Sequence, residues 1–177
     1  MELRILQYFL AVAREQSISA AAESLHLSQP TLSIQLKALE EELGKQLLIR
    51  GTKGSRKVLL TDEGMILRKR AEEILTLVQK AKSEVQMTDA SIAGDVYIGA
   101  GETDIIRYFA RAAKRMKKSC PDIRYHISSG NAQFVTEQLD KGLIDFGLMY
   151  GPVDRTKYEA LTLPIGDRFG VLMRRDD

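Results

Sequence analysis

Residues 28–44 read SQPTLSIQLKALEEELG, and their spacing decides how the first third of the chain folds. Ser28 is a residue type whose side chain accepts from an orphan amide at a helix start. Pro30 falls in the first turn, where a missing N–H costs nothing. Leu32, Leu36, Leu39 and Leu43 follow at 4-3-4 spacing and predict a core-facing stripe, and Gly44 predicts a left-handed cap. With the leucines inward, Gln29, Thr31, Ser33, Ile34 and Lys37 lie on or near the outer side. Gln and Lys can donate to base edges and Ser is permissive, whereas Ile34 cannot donate at all. Taken one at a time, Gln29 and Ser33 are explained as well by solvation as by base contact.

The neighbouring segments give this helix its context. Upstream, Leu3, Leu6, Leu10 and Ala13 recur every three or four residues, and Phe9 and Val12 widen the same face. Ser19 is the expected cap of a second helix, AAAESL, whose small Ala20, Ala21 and Ala22 permit close approach of another helix. Two helices joined by a tight turn, the second with a polar cap, make a helix-turn-helix. Downstream, LLIR (47–50) and KVLL (57–60) flank GTKGSR (51–56), which predicts a hairpin. Arg50, Lys53, Arg56 and Lys57 stand there with no acid among them. Alone, such a hairpin is a solvated turn. Directly after the polar-faced helix it reads as a basic wing able to approach phosphates. The acids Glu40, Glu41 and Glu42 are expected to stay away from DNA and to oppose the helix dipole slightly.

Thr61 can cap a long helix, DEGMILRKRAEEILTLVQKAKSEVQ, with Asp62 and Glu63 well placed in its first turn. Leu67, Ala71, Ile74, Val78, Ala81 and Val85 alternate in steps of four and three, a heptad seam of under three heptads. Arg68/Glu72, Lys69/Glu73 and Lys80/Glu84 are opposite charges four apart. Such a helix either packs on its own domain or pairs with a second copy. Its isolation between two domains favours the dimer seam. TDASIAG (88–94) follows as a hinge.

Beyond the hinge, strand-like runs alternate with helical ones. GDVYIGAG and DIRYHISSG read as strands, 105–118 and 131–141 as helices, and 144–149, YEALTLP and RFGVLMR as further strands. That is an α/β unit with crossover helices. The chain therefore divides into 1–60, 61–89 and 90–177.

With 177 residues, 44% hydrophobic, 28% charged and a net charge of +2, the composition is that of an ordinary soluble protein, and local charge must identify any partner. The single Cys120 excludes an internal disulfide framework and suits a reducing compartment. The N-terminus carries charge throughout and is no signal peptide, and no apolar run approaches a membrane span, so a cytoplasmic protein without membrane association is expected. Enzyme signatures are missing. In GAGETD, Asp104 occupies the place of the third glycine of a dinucleotide fingerprint, and no Gly-Lys-Ser/Thr phosphate loop occurs. His26 belongs to a turn and His126 to a strand, Cys120 is read as a free structural thiol, and no metal ligands cluster. Neither catalysis nor a cofactor is expected.

The stretch MELRILQYFLAVAREQSISAAAESLHLSQPTLSIQLKALEEELGKQLLIR, followed by LLTDEG, resembles the N-terminal domain of LysR-type transcriptional regulators. The resemblance covers roughly the first sixty residues without a gap. It implies an α+β protein overall: an all-α-rich winged helix-turn-helix, a long dimerising linker helix, then a partial α/β periplasmic-binding-protein-like domain. It also implies dyad-symmetric promoter DNA as partner, bound by a dimer or a dimer of dimers, with activity modulated by a small effector and RNA polymerase as a further candidate partner. Family DNA contacts map onto Gln29, Pro30, Ser33, Gln35 and the wing, beside Ser28, Thr31, Ile34 and Lys37. The position after Ser33 is often arginine in the family and is Ile34 here, which either packs against a thymine methyl or leaves readout to Gln29, Ser33 and Lys37. The effector is expected at loops on the carboxyl ends of the strands, at Gly101, Glu102, Thr103, Ser128, Ser129 and Asn131. Thr103 and Asn131 serve equally well as helix caps. The chain stops at Asp177, before a second lobe of such a cleft, by a cut or by natural truncation, so its sheet is expected to expose an edge. The rival reading is a solute-binding or oligomerising fragment without DNA regulation of its own.

Overall fold

The computed structural model describes residues 1–51, 57–86, 92–163, 166 and 174. They form two compact units, Met1–Gln79 and Lys80–Asp177.

The first unit begins with α1 (Leu3–Glu15), α2 (Ile18–Ser24) and α3 (Gln29–Leu43), followed by β1 (Leu48–Ile49), β2 (Leu59–Leu60) and the start of α4 (Asp62–Gln86). The three helices close on one apolar cluster that includes Ile5, Phe9, Val12, Ala21, Ala22, Leu32, Leu36, Leu39, Leu47, Leu48 and Val58. Burial in α1 follows Ile5, Leu6, Phe9 and Val12, whereas Leu3 is exposed. The stripe is thus rotated from the expected one toward the bulky Phe9, whose burial removes more apolar surface from water than an alanine would. Ser17, not Ser19, caps α2 by accepting from the Ala20 amide at 3.3 Å. Ser28 caps α3, and Gly44 closes it at φ 63°, a conformation glycine adopts without steric cost. Leu43 is exposed, because the chain turns at Gly44 before that last turn meets the core.

Among the described residues, the pairs Leu48↔Leu60 and Ile49↔Leu59 join β1 to β2 antiparallel. The hairpin tip, with Lys53 and Arg56, lies outside the described residues. Its second arm is tied to the α1–α2 turn by the Val58 amide, 2.8 Å from the Gln16 carbonyl. Thr61 caps α4 by accepting from the Gly64 amide at 3.0 Å.

The second unit contains β3 (Gly94–Ala100), α5 (Ile106–Ser119), β4 (Ile123–Ser129), α6 (Ala132–Asp140) and β5 (Phe146–Leu148). Its sheet is parallel, in the order β4-β3-β5. Gly99 and Gly147 let α6 approach closely: a Cβ at Gly147 would stand 2.7 Å from Val135 Cγ1. Phe109 of α5 meets Tyr125 edge-on across the opposite face, at 5.7 Å between ring centres. Two helices on opposite faces follow from right-handed crossovers that run outward from β3 and then back across it. No ladder forms over residues 158–163, where a strand was expected. That segment instead starts at the turn of Asp154, and Tyr158 gives its hydroxyl to Asp140. The RFGVLMR run lies almost wholly outside the described residues.

Candidate nucleic-acid interface

The amino-terminal half of α3 presents an exposed polar face. Ser28 Oγ accepts from the Thr31 amide at 3.2 Å and pairs with Thr31 Oγ1 at 2.6 Å, so both hydroxyls serve first as a cap. Gln29 Nε2 donates to Ser33 Oγ at 2.8 Å, which fixes the amide along the helix surface. Pro30 and Thr31 are exposed, and Ser33 and Gln35 are half-buried. Ile34 is 66% exposed amid these groups. Lys37 Nζ lies 3.4 Å from Glu41, an exposed pair that exchanges readily for a phosphate or base because such bridges contribute little.

The acidic end of α3 has a structural use the spacing did not reveal. Glu40 Oε1 accepts from the Leu47 and Leu48 amides at 2.8 and 3.0 Å, fastening the helix to the hairpin. Its other oxygen lies 3.7 Å from Arg50, so that member of the wing has an acid nearby after all. Glu42 accepts from the N-terminal amine at 2.6 Å. Lys57 is exposed.

Along α4 the seam residues divide. Leu67 packs on the helix-turn-helix cluster and Ala71 is fully buried, so these two are already occupied within one chain. Ile74 and Val78 are half-buried, Ala81 is exposed and Val85 is 86% exposed. Arg68 and Glu72 pair at 3.0 Å as their spacing suggests. Lys80 reaches instead to Asp145 Oδ1 at 2.6 Å and the Gly142 carbonyl at 2.9 Å.

In the second unit, the connections after β3 and β4 leave on opposite faces of the sheet, at the carboxyl ends of the strands, the place where open α/β sheets generally bind ligands. Gly101 donates its amide to the Leu148 carbonyl at 3.2 Å, and Glu102 is exposed. Thr103 Oγ1 accepts from the Ile105 amide at 3.0 Å and meets the Tyr150 hydroxyl at 2.5 Å. Tyr150, absent from the expected set, thus stands beside Thr103. Ser128 donates to the Ile98 carbonyl at 3.2 Å, Ser129 is exposed, and Asn131 caps α6 through the Phe134 amide at 2.8 Å. Asn131 thus acts as a helix cap, whereas Thr103 closes a local turn and α5 starts without a side-chain cap. A separate open recess of about 440 Å³ lies at the other end of the strands, lined by Ser83, Gln86, Asp95, Lys117 and Arg124 among others.

Beside that recess, Arg124 grips Asp95 through two bonds of 2.9 and 2.8 Å, and His126 Nε2 adds a third contact at 2.6 Å. The Arg124 guanidinium, with help from His126, lowers the Asp95 pKa to about 2. His126 stacks on Tyr97 at 4.6 Å. Among the described residues, no group of three His, Cys, Asp or Glu is placed to hold a metal, and no helix is long and apolar enough to cross a membrane.

Residues 3–65 match the bacterial regulatory helix-turn-helix proteins of the lysR family, and residues 89–177 match the LysR substrate binding domain. The chain belongs to the LysR family. Its relatives include the HTH-type transcriptional regulator BsdA of Bacillus subtilis, 36% identical over 82% of this chain and 49% of BsdA. Another is the DNA-binding transcriptional dual regulator OxyR of Escherichia coli, 33% identical over 82% of this chain and 47% of OxyR. Full-length CbnR, a LysR family transcriptional regulator, solved in complex with its target DNA, is similar at a TM-score of 0.67 and 30% identity, covering 83% of this chain and 49% of CbnR. This LysR-family chain spans about half the length of the relatives it matches.

Proposed function

We propose that this LysR-family chain is a sequence-specific transcriptional regulator, working by binding rather than catalysis, in the cytoplasm. It docks α3 into the major groove of dyad-symmetric promoter DNA as a dimer or tetramer. Gln29, Pro30, Thr31, Ser33, Ile34, Gln35 and Lys37 face the bases, with Ser28 at the rim. Arg50, Lys53, Arg56 and Lys57 of the wing meet phosphates. The observation that carries this reading is the outward face of α3: a capped amino-terminal half, polar and exposed, opposite the buried Leu32, Leu36 and Leu39. CbnR, similar over most of this chain, was solved with its target DNA.

Dimerisation falls to Ile74, Val78, Ala81 and Val85, since Leu67 and Ala71 are covered within the chain. A small effector binds at the carboxyl ends of β3 and β4, beside Gly101, Glu102, Thr103, Ser128, Ser129, Asn131 and Tyr150, where the amides beginning a helix favour an anion. RNA polymerase is the downstream partner in this reading. A gel-shift titration against salt on promoter fragments tests it. Affinity that falls steeply with salt, through release of condensed counterions, is expected. No salt-sensitive complex on any fragment would overturn it and leave an oligomerising or solute-binding fragment.

A further inference from the structure

At 100° per residue, the mean direction of Leu32, Leu36 and Leu39 marks the core side of α3. Measured from it, Ile34 points roughly 170° away, farther than any other residue in the first two turns. By the same measure Thr31 and Ser33 flank the outer stripe, which Pro30, Ile34 and Lys37 form. The side chain that reaches deepest into a groove facing this helix is therefore apolar and, at 66% exposed, free to make contact. An isoleucine pressed on a guanine, adenine or cytosine edge would strip water from a donor or acceptor and offer nothing in return. Thymine alone presents a methyl group in the major groove.

We propose that Ile34 is a specificity-determining residue that reads the 5-methyl of a thymine in the bound site, an inference that rests on α3 docking in the major groove. Ile34, the outermost position of the first two turns, carries no charge, so readout there rests on shape and methyl contact.

Deoxyuridine removes the thymine methyl and nothing else. The test takes the duplex that the intact chain enriches from a random-sequence library and replaces each thymine in turn by deoxyuridine. Affinities of the wild-type chain and of Ile34→Ala are then compared. Ile34 is exposed, so the alanine variant keeps its fold, and matching circular dichroism and melting curves verify this. At one or more thymines, deoxyuridine should weaken the wild-type chain roughly three- to fivefold, the scale of one buried methyl, while Ile34→Ala is indifferent. A duplex that binds both proteins with no thymine separating them overturns the role of Ile34 and leaves DNA binding standing. A pool that never enriches overturns the docking of α3, and this inference with it.

Discussion

The carboxylate of Glu40 takes the backbone amide of Leu47 at 2.8 Å, and the same oxygen serves Leu48 at 3.0 Å. One side chain near the end of α3 therefore positions the hairpin that carries the basic wing. Its side chain is only 15% exposed, so removing it leaves two amides without an acceptor. Glu40→Ala is expected to destabilise the first unit by ~1–3 kcal/mol, read as a lower urea midpoint, with Glu40→Gln losing less. Equal midpoints for wild type and Glu40→Ala would show that water replaces the carboxylate at no cost.

Lys80 holds Asp145 at 2.6 Å with only 12% of its side chain exposed, and Asp145 in turn accepts from the Tyr97 amide at 2.8 Å. The last turns of α4 are thus fastened to the sheet of the second unit. Lys80→Met should keep the aliphatic packing, lose the charge-assisted bonds and cost ~1–2 kcal/mol. Hydrogen exchange of residues 82–86 is expected to quicken. Unchanged protection there would assign the ordering of that end to other contacts.

Asp95 gives the second unit a defined acid response. Its folded pKa, lowered to about 2, lies below its ordinary value of 3.8, so the stabilisation is fully present above pH 4. It disappears as pH falls through 3.8 toward 2. With Arg124 and His126 both well exposed, the contribution is about 1 kcal/mol. Asp95→Asn should melt lower at pH 7 and lose less stability than wild type between pH 4 and 2. Parallel pH profiles for the two proteins would contradict the pairing.

The wing is expected to contribute affinity without sequence information. Replacing Arg56 and Lys57 by Ala should weaken DNA binding about equally on all sequences and lower the slope of log K against log salt by roughly 1 to 2. A change in discrimination between sites would mean that the wing reads bases.

Ile34→Arg places a bidentate donor where an apolar side chain stands, and should tighten binding while moving base preference from thymine toward guanine. An unchanged affinity and footprint would show that this side chain lies off the groove.

Local signals were legible in the residues themselves. Ser28, Gly44 and Thr61 act where a cap needs only a side chain or a free φ, and the 62–86 helix runs over the range its pattern describes. Contacts between segments distant in sequence were not. Glu40 bonds amides seven and eight residues on, and Lys80 prefers Asp145, 65 residues away, to its helical neighbour Glu84. Tyr150 meets Thr103 only because β5 runs parallel beside β3. Periodicity also overestimates burial at helix ends, as exposed Leu3 and Leu43 show, because a stripe continues where the core does not. The 158–163 run has strand composition but forms no ladder, and composition cannot supply a partner strand.

Hydroxyl-radical footprinting of this chain on its enriched duplex tests the central claim, that two copies present α3 to DNA, most directly. Two protected patches related by a dyad, with centres one helical turn or a multiple of it apart, are the predicted result. A single patch without symmetry, or uniform protection along the duplex, would contradict it.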